Sequence, residues 1–330
     1  MLKFRNLLCL VMVLFLASCS EDSPVGPSSN VWTIEAGIHS EESDTRTSFV
    51  EDEQLGIMKG VYWSPGDCIG VYTYQGNENA CFRCNNPEPS PKGNFAGTLP
   101  DIPVYAYYPY GDDNTNCESI QATLPVEQSY STVTADLHYD YKFGNPLSEV
   151  VNPKFDKFMF RHVLPMLRFV VNAEGTSLSS EQLKSVSLIF PADVNFHHGD
   201  FTFSAVNGTY QWISTSTSHQ VNLAWSDAPS LQGSTLYGYY VCDAVKGLYG
   251  KEVTVKITTD KHAVSFKTTL RMNQFKPNYI YTFPLHLKKW QDKLGTAFQI
   301  TPLPGGDTSD GLNIDDGSAK PGYDVLSVRS

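Results

Sequence analysis

Apolar and polar positions alternate along most of this chain, and the alternation is that of strands. The clearest stretch runs Phe158-Met-Phe-Arg-His-Val-Leu-Pro-Met-Leu-Arg-Phe-Val-Val171. Pro165 argues against a helix there, since it removes a backbone donor and clashes with the preceding turn. In an extended reading Leu167, Phe169 and Val171 share one face, Arg168 and Val170 take the other, and Pro165 bends the chain between two short strands. Further on, Val253, Val255 and Ile257 alternate with Thr254, Lys256 and Thr258, and Asp260-Lys261 turns the chain into Val264–Leu270, which predicts a hairpin. The pattern also predicts strands over Val31–Ala36, Cys68–Tyr74, Pro103–Tyr110, residues 119–126, Val186–Phe190, Leu236–Cys242 and Tyr279–Leu287. A long loop is expected from Gln75 to Lys92, and a polar, Pro/Asn-punctuated stretch up to about 157. One short helix is expected over Leu178–Leu183, capped by Ser177 or Ser179.

Composition agrees. Aromatic residues make up 12% of the 330 residues, charged residues only 18%, and Gly and Pro together number 44. That balance favours short strands and turns over long solvated helices, and the length suffices for two cores. The expected fold is all-β, two antiparallel β-sandwich domains with minor short helices.

The chain start has a different character. Lys3 and Arg5 precede the apolar run Leu7–Leu16, too short to cross a bilayer, and Leu16-Ala-Ser-Cys19 follows. This is the pattern of an export leader, and its last four residues resemble the bacterial lipobox. The resemblance makes residues 1–19 a lipoprotein signal peptide and Cys19 the lipidated first mature residue, anchoring the chain to a membrane. The acidic Ser20-Glu-Asp22 resembles the signal that sends lipoproteins to the outer cell surface. Losing Lys3 and Arg5 leaves 22 basic residues against 35 acidic, with no basic cluster, so nucleic acid is not an expected partner.

Residues 20–45 hold a Ser/Pro/Gly-rich tether and the strand Val31–Ala36. Arg46 then stands alone in the polar stretch Glu41–Phe49, between two extended segments, where proteases nick chains. On the residues alone, a solvated surface arginine is the simpler reading.

Known chemistry finds little purchase. Cys68, Cys81, Cys84, Cys117 and Cys242 remain after the leader, an odd number that cannot all pair. Cys81-Phe-Arg-Cys84 has a redox spacing but no βαβ surroundings and no second pair for zinc, so disulfides or buried thiols are expected. His197 and His198 point to opposite faces of a strand and cannot ligate together. Asp307, Asp310, Asn313, Asp315 and Asp316 miss the calcium-loop spacing. Tyr105, Tyr107, Tyr108 and Tyr110 are expected to pack a sheet with wet hydroxyls, not to stack on sugars. No catalytic nucleophile–base pair, cofactor or metal site is expected, nor is an enzyme.

Five pieces fall in order: Thr45-Arg-Thr47, Val61-Tyr-Trp-Ser-Pro-Gly-Asp-Cys-Ile-Gly-Val71, Tyr105-Ala-Tyr-Tyr-Pro-Tyr110, Phe160–Phe169 and Lys276-Pro-Asn-Tyr-Ile-Tyr281. This series, over residues 31–289, resembles the fimbrillin family, the Mfa-like surface lipoproteins that include type V pilus subunits. The resemblance implies transthyretin-like sandwiches, an N-terminal one at 46–157 and a C-terminal one at 158–289, with 290–330 as a tail. It also implies cleavage between Arg46 and Thr47, removal of the N-terminal strand that includes Val31–Ala36 as part of a propeptide, and donor-strand exchange with other pilus subunits at the outer membrane and in the fimbrium. Ala297–Thr301 and Tyr323–Val328 are the segments open for donation. The other function reading is a lipoprotein that stays unpolymerised and binds glycan or host protein.

Overall fold

The computed structural model describes residues 30–39, 41–42, 62–132, 139–148, 153–302 and 326–327. The chain is all-β as expected. The first half contributes β1 (Asn30–His39), β2 (Glu41–Glu42), β3 (Cys68–Tyr72), β4 (Ala80–Cys84), β5 (Lys92–Leu99), β6 (Tyr105–Tyr108), β7 (Ile120–Leu124), β8 (Glu127–Tyr130), β9 (Lys142–Ser148) and β10 (Pro153–His162). Seven of these close into a barrel in the order β1-β10-β9-β6-β3-β4-β5, with β5 returning to β1. The expected sandwich geometry thus takes, in the first half, the form of a sheet closed on itself, which leaves no edge exposed. Inside it lie Ile34, Trp63, Ile69, Val71, Phe82, Phe95 and Phe160, all buried.

The second half contributes β11 (Met166–Asn172), β12 (Leu183–Ile189), β13 (Phe196–Phe203), β14 (Tyr210–Ser218), β15 (Gln220–Trp225), β16 (Thr235–Val241), β17 (Glu252–Thr259), β18 (His262–Leu270), β19 (Tyr279–His286), β20 (Gln299–Pro302) and β21 (Leu326–Ser327). One sheet runs β16-β11-β19-β2 and another runs β20-β18-β17-β12-β15-β8, with β21 also on β18. The two press together closely at Gly238 on β16. A Cβ there would sit 2.3 Å from the Trp225 ring and 2.8 Å from Leu223, both on β15. A third sheet, β14-β13-β7, joins a strand of the first half to the second. Residues 120–130 therefore leave the barrel and pair in the sheets of the later chain, and the barrel's last strand runs past residue 157 to His162.

Most pairs are antiparallel. Among the described residues four are parallel, namely β1–β10, β11–β19, β8–β15 and β2–β19, each joining segments far apart in sequence, as parallel pairs must.

Pro165 ends the bend between β10 and β11, and Leu167, Phe169 and Val171 are buried while Arg168 and Val170 are half-buried. The hairpin at Asp260-Lys261 forms as β17–β18. Several expectations need correction. The loop expected over Gln75–Lys92 contains β4, and the polar stretch before 157 contains β8, β9 and part of β10. The short helix is a 3-10 turn over Ser177–Ser180 capped by Thr176, whose Oγ1 accepts from the Leu178 N–H, and β12 already begins at Leu183. The strand expected over Tyr279–Leu287 stops at His286, where α1 (Leu287–Leu294) begins with Leu287 and Trp290 turned inward. Tyr107 is fully buried and its hydroxyl is bonded to Asn79 and Gly111 rather than wet. No helix among the described residues is long and apolar enough to cross a membrane.

Cys68 bonds to Cys81, and Cys84, Cys117 and Cys242 are buried thiols. Strand parity explains the choice. Cys68 faces Arg83 across β3–β4, so it shares a face with Cys81, two residues away from Arg83, while Cys84 points into the barrel. The pair closes a 13-residue separation. Chain-entropy arithmetic gives about 3 kcal/mol for such a loop. Cys81→Ser is expected to lower the urea midpoint accordingly, and reductant should then have no further effect. A variant as stable as the parent under oxidising conditions would refute this.

Candidate functional site

The strand next to the Arg46 segment is the one with the most consequence for the barrel. β1 is not an edge strand. It pairs antiparallel with β5, Ile34 opposite Phe95 and Ala36 opposite Gly93, and parallel with β10, Ala36 beside Phe158 and Ile38 beside Phe160. Its sequence, Trp32-Thr-Ile-Glu-Ala-Gly-Ile38, puts Ile34 and Ala36 fully inside and Trp32 and Ile38 half-buried, with Thr33 and Glu35 outward. β1 is thus the stave that closes the barrel.

The slot that holds it is shaped by Trp63. This ring makes edge contacts with Phe95, Phe160 and Tyr108 at centroid distances of 5.0, 5.1 and 5.4 Å. Its Nε1–H donates to the Ala36 carbonyl at 3.0 Å. Gly93 makes room for it. A Cβ on Gly93 would lie 2.3 Å from the Phe95 ring and 2.8 Å from Trp63. A glycine on one wall and an alanine on β1 are what allow an indole to lie over the seam.

On the outer face Glu35 Oε1 stands 3.8 Å from Lys92 Nζ of β5 and 3.8 Å from Lys157 Nζ of β10. The chain continues from β1 into β2, whose Glu41 and Glu42 pair with Tyr279 and Ile280 at the edge of β19. β1 and β2 are therefore bound in two places, β1 in the barrel and β2 on the second half.

Below the slot lies a buried charged cluster. Asp140 Oδ1 meets His162 Nδ1 at 2.5 Å and Oδ2 meets Lys142 Nζ at 2.6 Å, with all three side chains at most 3% exposed. Burial pushes the Asp140 carboxyl up, but the charges of His162 and Lys142 outweigh it and hold it at about 2. Lys142 Nζ also lies over the rings of Tyr108 and Trp63, at 4.7 and 5.6 Å. The His162 N–H donates to Asn278 at 3.1 Å, just before β19. No pattern in the sequence pointed to this cluster, because His162 comes from the end of β10 and only Asp140 and Lys142, at the start of β9, are near neighbours.

The sequence-predicted positions divide as follows. Cys19, Arg46 and Thr47 lie outside the described residues. Of the tail segments, Ala297–Thr301 overlaps β20, which pairs with β18 as an edge strand, and Tyr323–Val328 contains β21, which pairs with Thr269 and Leu270 further along β18. His197 and His198 do point apart. His197 is half-exposed and holds Asp243 at 2.7 Å, while His198 is buried. Tyr210 donates to the same Asp243 at 2.9 Å.

Comparisons with known proteins give distant likenesses. No family model matches this chain, and no curated protein does. Among solved structures, the chain is similar to a candidate cell adhesion protein from Bacteroides ovatus at 14% identity, TM-score 0.48, over 89% of this chain and 100% of that one. It is similar to another from Bacteroides uniformis at 16% identity, TM-score 0.45, over 83% and 96%. A third, from Bacteroides fragilis, matches at 8% identity and TM-score 0.36, over 84% and 100%.

Proposed function

We propose that this chain is a fimbrillin-like structural subunit, anchored by lipid at Cys19 on the outer membrane and assembled into a pilus by strand exchange. The observation that carries the reading is the place of β1. The strand that closes the barrel is also the strand that a cut after Arg46 would sever from the rest of the chain. Withdrawing it uncovers two rows of backbone hydrogen-bonding groups, on β5 and β10, together with the apolar walls around Trp63. Such a slot binds an extended peptide by completing both ladders, with alternate side chains filling the pockets. A head-to-tail contact of this kind does not close on itself and builds a filament.

Arg46→Ala tests it. Protein sheared from cells carrying the parent chain is expected to start at Thr47 and to run as a heat-sensitive ladder on unboiled gels. The variant is expected to start at lipidated Cys19 and run as a monomer. A ladder that survives the substitution would refute processing at Arg46.

A second reading, an unpolymerised lipoprotein that holds a glycan, draws on a hollow of about 380 Å³ lined by Gln121, Thr123, Tyr141, Asp200 and Ile213. Polar side chains beside Tyr141 and the exposed Ile213 are the chemistry a sugar ring meets. A parent chain that starts at Cys19 and never polymerises would favour it.

A further inference from the structure

The slot under β1 is specific on both faces. Inside, it accepts a branched apolar side chain at the Ile34 position, against Phe95, and only a small one at Ala36, where Gly93 and Phe158 flank the strand and Trp63 lies over the seam. Outside, Lys92 and Lys157 stand one on each wall, and Glu35 is the acid between them. The walls are two strand spacings apart, about 10 Å. Without β1, two like charges face each other across the empty position.

We infer that the emptied slot selects a strand bearing a carboxylate between its two innermost side chains, in the order apolar, polar, branched apolar, acid, small, and that this strand comes from a different protein. The inference rests on the strand-exchange reading and names its partner.

The chain's own tail does not fit. Setting Phe298-Gln-Ile300 on Trp32-Thr-Ile34 places Thr301 at the acid position and Pro302 at Ala36, where a proline in a central strand loses a ladder bond. Leu312-Asn-Ile-Asp315 supplies the acid but puts Asp316 where Ala36 is fully buried, a charge without a partner. Tyr323-Asp-Val325 puts Leu326 between the lysines and Arg329 in place of Ile38. Each alignment fails at a different position, so these three segments of a second copy are poor donors. The receiving subunit then sits next to a subunit of another kind.

The test uses the full mature chain with a specific protease site inserted after Arg46, nicked, and held in mild denaturant to speed release of residues before the cut. Fluorescent peptides of residues 30–42, the same with Glu35→Lys, and the three tail segments are added, and anisotropy reports binding. The parent peptide is expected to bind, and the Glu35→Lys peptide to bind about tenfold more weakly, about 1.4 kcal/mol. A chain carrying Lys92→Glu and Lys157→Glu should reverse that preference. Both lysines are solvent-facing, so the swap leaves the core intact. Equal binding of the two β1 peptides would overturn the charge selection while leaving strand exchange standing. A tail peptide that binds as tightly as the parent peptide would make a second copy the donor. If no peptide binds, the exchange reading itself falls with the inference.

Discussion

Asp140→Asn is expected to destabilise the protein by roughly 3–5 kcal/mol, the range for breaking a buried ion pair from one side. The carboxylate touches Lys142 and His162, and neither has water to fall back on. Lys142 is 3% exposed and His162 1% exposed. The remaining contacts of Lys142 are the Asp140 carbonyl at 3.2 Å and the faces of Tyr108 and Trp63, which soften the ammonium's desolvation without neutralising it. Asparagine keeps the shape and removes the charge. Chemical denaturation of parent and variant measures the loss, and the double variant Asp140→Asn with Lys142→Met should recover part of it. A single variant within about 0.5 kcal/mol of the parent would show that the charges do not matter.

The same cluster sets an acid limb. A carboxyl held at about 2 when folded and near its ordinary value of about 3.9 when unfolded stabilises the fold fully above the unfolded value. That contribution falls as pH drops from about 4 towards 2. The parent should therefore lose stability across that window more steeply than Asp140→Asn, which has nothing there to titrate.

How much of this was legible in the sequence follows from the physics of each element. β11 and the β17–β18 hairpin were readable because one face of each is buried and the other is not, so period two shows directly. β14 was not. Its Ile-Ser-Thr-Ser-Thr-Ser run is mostly exposed, and a strand with no buried face writes no alternation. β4 hid in an Asn/Pro/Gly-rich stretch because burial alternates only over its last three residues. α1 carries a signal that could have been found, Leu287, Trp290 and Leu294 at helical spacing, but it follows β19 without a capping side chain at His286 to mark its start.

The site was legible only in its local parts. Val31–Ala36 reads as a strand from its own residues, yet nothing in them says that it pairs with β5 on one side and β10 on the other. Barrel closure joins Ala36 to Phe158, and such a partnership is decided by tertiary packing. The Glu35 bridge to Lys92 and Lys157 is hidden for the same reason. The disulfide needed the register as well, since spacing drew attention to Cys81 and Cys84 while face parity joins Cys68 to Cys81.

Trp63→Ala should cost about as much as losing the charge, roughly 3–5 kcal/mol, by deleting a buried aromatic and leaving a cavity. Its value lies in where the damage appears first. Trp63 is 1% exposed and ties together three things: the apolar walls through Phe95 and Phe160, the strand β1 through the Ala36 carbonyl, and the charged cluster through Lys142. Trp63→Phe keeps most of the packing and drops the donor, so it should cost about 1 kcal/mol. Amide exchange separates local from global effects. In the alanine variant the amides of Ile34 to Ile38 are expected to lose protection before those of β17 and β18, whose core lies in the other sheets. Uniform loss across all strands would instead mean that β1 opens only when the whole fold does. In that case a strand to be exchanged could not leave a folded subunit, and the barrel would have to be built around its partner during folding.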